Sequence, residues 1–267
     1  MTQILLWELR QRKAAIIWWT VGIAILVTAL MFVYPSIRDQ AGQLEKVLNQ
    51  LPAGLRELKT GSSSVDVSSP IGYLNSQIYY ATLPLFFIIL AITRGSGLLG
   101  RDEQNHTLEL LLSRPLSRGK LLLGKALSGI IELAVVATGA TLVIAVLAPV
   151  VGMEISTVSI LITSLFTFLF CLSFGAISFA LTAFGRVGKH VNTAIAVIAG
   201  FGGYLLASLS GLTTFLETPA KFAPYHYFAP EQILHGHVNT GLYVYLTGIF
   251  VLTTLIAYFG FRRRDIS

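Results

Sequence analysis

Two stretches of the sequence carry residue patterns that hold phosphate in other proteins. Gly119, Gly124 and Lys125 stand at the spacing G-x-x-x-x-G-K within "RGKLLLGKA" (Arg118 to Ala126), and "GSGLLG" (Gly95 to Gly100) spells G-x-G-x-x-G. In a phosphate-binding loop, backbone amides cradle the anion, the lysine neutralises it, and a following Ser or Thr reaches magnesium. Here Ala126 follows Lys125, and Leu121, Leu122 and Leu123 open an apolar run. A helix uses such amides internally beyond its first turn, so none is left for an anion. "GSGLLG" follows an apolar run, not a strand, and no βαβ unit is available to it. Its glycines predict a bend where that run ends. The chain itself is expected to bind no nucleotide, magnesium or other cofactor.

Three further groups could do chemistry. Glu132 is an acid inside an apolar run. An intramembrane carboxylate costs about 2.5–3.5 kcal/mol on insertion scales, so it should face protein or water. Lys125, seven residues earlier on the same face, is within reach of snorkelling towards it. Glu132 reads either as a polar group on a transport path or a proton-linked gate, or, in preference, as a pair or hydrogen bond that fixes helix packing. His226, His235 and His237 match no zinc spacing and have no Cys or paired carboxylate beside them. With Tyr225, Tyr227 and Phe228 they read as an interfacial aromatic belt, and no metal site is expected. Ala196 with Gly200, and Ala199 with Gly203, are small-xxx-small pairs that let helices approach closely, either between two copies or within one. An intramembrane enzyme would need a nucleophile and base clustered within the spans, and none is present.

The elements that must position these residues are membrane helices. The 267 residues are 54% hydrophobic and 12% charged, against about 25% charged in soluble domains. A span needs about 20 apolar residues. Six runs qualify: Ala14 to Tyr34, Gln77 to Thr93, Leu121 to Ala148, Val158 to Phe184, Val191 to Phe215 and Gly241 to Phe261. Barrel strands would alternate over about 10 residues, and none do. The fold class is an all-α integral membrane protein, a single transmembrane domain over 1–267 with a first run too long for a cleaved signal. Of 19 Lys and Arg, 14 fall in one set of connections, which predicts both termini on the cytoplasmic side. The net charge of +6 reflects that bias. No soluble basic module is present to bind nucleic acid.

Between the runs, residues 1–13 read as an interfacial segment or a basic flank. Residues 35–76 form an external segment with helical periodicity from Leu44 to Leu58, broken at Pro52. Residues 94–120 are the most patterned cytoplasmic connection. Asp102 and Glu103 open a polar turn there, and Leu108, Leu111 and Leu112 share one helical face. Pro115 ends that helix, and Ser117 caps the next span. The product is a short amphipathic helix between spans two and three, tethered at both ends to membrane helices.

This connection resembles that of the membrane-spanning permease subunit of ABC type-2 transporters, in the drug and antibiotic exporter branch. The similarity lies in acidic residues followed by "TLELLLSRPLSR" (Thr107 to Arg118) and Lys125, in "YPSIRD" (Tyr34 to Asp39), "LPAGLREL" (Leu51 to Leu58) and "SPIGYLNSQ" (Ser69 to Gln77), and in the six-span order. His106 departs from the family, which carries Gly before the Thr. The resemblance implies a coupling helix seated in a separate ATPase subunit, which holds the ATP and magnesium. Its contact residues would be Asp102, Glu103, Thr107, Leu108, Glu109, Leu111, Leu112 and Arg114. It further implies a second permease copy, homo- or heterodimeric, and export of an amphipathic drug, antibiotic, lipid or peptide across a prokaryotic cell membrane. The competing reading is an ion-coupled carrier without an ATPase, which would need more intramembrane ionisable groups than Glu132.

Overall fold

The computed structural model describes residues 2–40, 68–104, 117–185, 189–209 and 214–263. Among them every regular element is helical: α1 (Thr2–Asp39), α2 (Pro70–Tyr73), a π-helical stretch (Leu74–Tyr79), α3 (Thr82–Gln104), α4 (Arg118–Val150) and α5 (Thr157–Phe184). There follow α6 (Lys189–Val197), a second π-helical stretch (Ile198–Gly202), α7 (Gly203–Leu209), α8 (Thr214–Ala220), a 3-10 turn (Pro224–His226), α9 (Pro230–Leu234) and α10 (Thr240–Arg262). Six helical stretches are long and apolar enough to cross a membrane: Thr2–Asp39, Pro70–Asp102, Arg118–Val150, Thr157–Phe184, Val191–Leu209 and Thr240–Arg262.

The helix ends follow from local chemistry. Ser117 caps α4 as its sequence position predicts, accepting from the Lys120 amide at 3.4 Å. That bond is long, so Ser117→Ala is expected to cost about 0.5–1 kcal/mol, the lower part of the N-cap range, measured by thermal unfolding in detergent. Asn239 caps α10 through the Gly241 amide at 2.8 Å. Gly185 ends α5 in the left-handed region at φ 69°, where a Cβ would be strained.

Hydrocarbon cannot hydrogen-bond, so polar groups within the bundle must satisfy one another. Tyr79 and Ser164 hydroxyls lie 2.8 Å apart, and Tyr73 donates to the Leu30 carbonyl at 2.5 Å. These ties sit in a large apolar core containing Tyr34, Phe87, Phe170 and Phe174. A smaller core gathers Leu98, Leu99, Leu121, Phe179, Ala257 and Phe261, with Ile4 packed against it. The first turns of α1 and the last turns of α10 therefore share one end of the bundle. Arg118 closes that end by donating to the Phe261 and Arg262 carbonyls at 3.4 and 3.1 Å, where a cation favours a helix C-terminus. With the exposed Lys120, Arg262 and Arg263, this is the basic end.

Several expectations require correction. α1 runs unbroken from Thr2, so residues 2–13 continue the helix of the first span. The second span begins at Pro70, not Gln77, because Tyr73, Leu74, Asn75 and Ser76 are buried in the bundle. α1 likewise reaches Asp39, which trims the external segment at both ends. Its two-piece helix from Leu44 to Leu58 lies outside the described residues. Gly95 to Gly100 does not interrupt α3, which continues through it to Gln104. A Cβ on Gly95 would stand 2.3 Å from the Gly175 carbonyl oxygen, and one on Gly175 3.0 Å from that of Ala91. These glycines exist to let two backbones touch.

Candidate functional site

The charge-free runs of α1, α3 and α4 stop at the same level of the bundle, at Arg12–Lys13, Arg94 and Glu132. There the three helices meet through ionised side chains. Helical geometry places residues at i+4, i+7 and i+8 on one face. Each helix presents one such pair of opposite charge: Glu8 and Arg12 on α1, Arg94 and Asp102 on α3, Lys125 and Glu132 on α4.

Those six groups form one alternating chain. Asp102 Oδ2 lies 2.5 Å from Lys125 Nζ, and the same Nζ donates to Glu8 Oε1 at 2.7 Å. Glu8 Oε2 accepts from Arg94 Nη2 at 3.0 Å. Arg94 Nε lies 2.6 Å from Glu132 Oε2, an ionic contact outside hydrogen-bond alignment. Glu132 Oε1 accepts from Arg12 Nη2 at 3.1 Å. Three anions and three cations sum to zero. Lys125 and Glu132 are 1% exposed, and Arg94, Glu8 and Asp102 stay below 9%. Charges this deep require partners, since desolvating an ion outweighs any single attraction. Arg94 is suited to its central place because its planar fork serves two carboxylates at once.

The pairing differs from the sequence expectation. Lys125 does not reach for Glu132. It lies about two turns nearer the basic end, between Glu8 and Asp102, while Glu132 is claimed by Arg12 and Arg94. Asp102 does not open a polar turn on a free surface. It closes α3, its carboxylate turned inward onto Lys125. Glu103 lies in the same last turn. Thr107, Leu108, Glu109, Leu111, Leu112 and Arg114 lie outside the described residues. Glu8, Arg12 and Arg94 were not singled out from the sequence, although their spacing beside apolar runs was the signal: opposite charges one or two turns apart, on helices long enough to bring them together.

The remaining candidates fall elsewhere. Ala196 is buried, Ala199 packs against the core, and a Cβ on Gly200 would stand 2.9 Å from Ile88 Cγ2. A Cβ on Gly203 would meet Pro224 Cδ at 3.4 Å. This small-residue face thus packs within its own chain. Tyr225 and Phe228 are no interfacial belt. They are 4% and 2% exposed, and Phe228 stacks on Phe170 at 4.3 Å, because the segment after α8 folds back into the core. His226 meets Tyr227 edge-on at 5.2 Å. Among the described residues no three His, Cys, Asp or Glu side chains gather as metal ligands.

The arrangement is mechanical. α3 and α4 are the two rods that residues 105–116 connect in sequence, and the Asp102–Lys125 contact joins them. Glu8 ties both to α1. Sliding any one rod past its neighbours would strand a charge in an apolar interior, so the three are built to move together.

No curated protein and no solved structure matches the chain significantly. A family model does: residues 3–266 match the one described as "ABC-2 family transporter protein". A match over nearly the whole length, with six helices among the described residues long and apolar enough to cross a membrane, places this chain in the ABC-2 transporter permease family.

Proposed function

We propose that this permease is the membrane half of an ATP-driven exporter, and that residues 105–116 seat in a separate ATPase subunit that moves them. The observation that carries the reading is the ionic chain at the roots of that segment. A displacement of the segment is delivered to α3 and α4 together, and through Glu8 and Glu132 to α1. Arg118, the first residue of α4, passes part of it to the end of α10. The basic end faces the cytoplasm, following the distribution of Lys and Arg, and the protein works in a prokaryotic cell membrane. Two copies would enclose a path for an amphipathic drug, antibiotic, lipid or peptide. Their contact excludes the Ala196–Gly203 face, which is already occupied within the chain.

The ion-coupled alternative gains one point from the structure, since three buried carboxylates stand where the sequence suggested one. Each of them nevertheless faces a cation, and the set is neutral. Such a cluster suits a fixed structural joint better than a proton relay.

The test is purification from the native membrane with and without Leu111→Asp combined with Leu112→Asp. The unaltered chain is expected to bring down an ATPase subunit whose hydrolysis responds to transported compounds. The double variant is expected to insert normally and lose the ATPase, since two carboxylates cannot enter an apolar cleft unpaired. A fully coupled complex in the double variant would reject the assignment.

A further inference from the structure

We propose that a lateral slot between α4 and α10 binds one acyl chain of an anionic lipid, drawn from the leaflet that meets the basic end. α4 and α10 meet near that end and diverge above it. The gap encloses about 470 Å³ and opens to the outside of the bundle. Gly95 and Gly175 form its floor, Gly129 and Leu123 one wall, Thr254 and Tyr258 the other. The floor is deep because the touching backbones of α3 and α5 have no side chains there.

Shape selects the occupant. The lining runs along α4 from Gly119 to Leu133, about 21 Å at 1.5 Å per residue. One leaflet of hydrocarbon is about 15 Å deep, half the bilayer core, so a lipid tail fits lengthwise. A helix from a second copy, about 10 Å across, is the rival occupant, and cross-linking between copies tells it from a lipid tail. The lining is almost wholly apolar. Its one ion is Arg94, whose guanidinium is already engaged by Glu8 and Glu132.

The surroundings agree. Leu123 and Tyr258 at the lips are 56% and 45% exposed on helices whose outer neighbours are lipid tails. The tail enters sideways from the leaflet without crossing water. Arg118, Lys120 and Arg262 stand exposed beside the lower mouth, within the reach of a headgroup whose chain lies upward in the slot. Cations at that level favour a negatively charged headgroup.

The full-length protein would be reconstituted in phosphatidylcholine bilayers doped with phosphatidylglycerol that carries a photoactivatable diazirine midway along one acyl chain. Adducts are expected to concentrate on slot residues of α4 and α10, above the level on the outward face of α1. A phosphatidylcholine probe of the same chain should label them less. Ala126→Phe with Thr254→Phe fills the slot and should bring its labelling down to the α1 level. Lys120→Ala with Arg262→Ala should leave labelling in place and remove the preference for the anionic probe. Adducts spread evenly around the unaltered protein, or equal labelling by both probes, overturn the proposal without any variant needing to fold. So does exclusion of lipid from the slot by a cross-linkable second copy. The labelling requires no ATPase subunit, so its failure is separate from a failure of the coupling reading.

Discussion

Lys125→Met is expected to destabilise the protein by about 3–5 kcal/mol, the cost of removing one partner from a buried ionic contact. The side chain is 1% exposed and bridges Glu8 and Asp102. Methionine is of similar length and equally suited to apolar surroundings, so the loss is electrostatic rather than steric. Two carboxylates, Glu8 on α1 and Asp102 on α3, would then lose the cation that stands between them. A control separates this from a packing defect. Lys125→Met combined with Glu8→Gln restores the neutral sum of the cluster, and the double variant should be more stable than Lys125→Met alone, a coupling measurable as a double-mutant cycle. Thermal unfolding in detergent reads both. If Lys125→Met unfolds within about 0.5 kcal/mol of the parent, the range of an ordinary surface change, the cluster does not hold these helices together.

The same experiment bears on coupling. Residues 105–116 connect α3 and α4 in sequence, and the Asp102–Lys125 contact ties those two rods. With it cut, the ATPase subunit should still bind, because its contact surface is untouched. Hydrolysis should proceed while export falls. A variant that loses export and ATPase binding together would point to general unfolding.

Much of the fold was legible because its cause is composition. Charge-free runs of more than twenty residues, bounded by Lys and Arg, have one stable arrangement in a bilayer, and the six helices follow. Ser117 as a cap was legible for a local reason, a hydroxyl three residues before an unsatisfied amide. The site was legible only in fragments. Glu132 stood out because it interrupts an apolar run, and Lys125 because it shares its face. Glu8 and Arg94 looked like flanking charge, since their meaning depends on which helices become neighbours. Sequence spacing fixes a residue's face on its own helix and says nothing of the helix opposite. The same gap hid the role of Gly95: glycine's freedom to turn and its freedom to be approached are identical in sequence. Tyr225 and Phe228 were misplaced for a related reason, because an aromatic cluster beside a span suits an interface or a core equally well until the chain's return path is known.

Gly95→Leu is the second large effect, and Gly95→Ala its graded form. A Cβ at this position would lie 2.3 Å from the Gly175 carbonyl oxygen and 3.1 Å from the Phe179 amide nitrogen. Both are backbone atoms of α5, so no rotamer can yield and the helices must part. Overpacking of this kind costs about 1–3 kcal/mol for a small addition, and more for leucine. Gly22 supplies the comparison, because a Cβ there meets nothing within 4 Å. Gly22→Ala should be neutral or stabilising by about 0.5–1 kcal/mol, the ordinary gain of alanine over glycine within a helix. Were Gly95 part of a phosphate-binding turn, its replacement would abolish a ligand and spare the fold. Equal behaviour of Gly22→Ala and Gly95→Ala would reject the close helix contact. The contact also reaches the charge chain, because Arg94 is the next residue. Prying α3 from α5 rotates or lifts the arginine that joins Glu8 to Glu132, so Gly95→Leu should reproduce the uncoupled hydrolysis expected of Lys125→Met in whatever fraction still folds. The glycine floor and the ionic joint thus meet on α3: Gly95 sets how close α3 comes to α5, and its neighbour Arg94 ties α3 to α1 and α4.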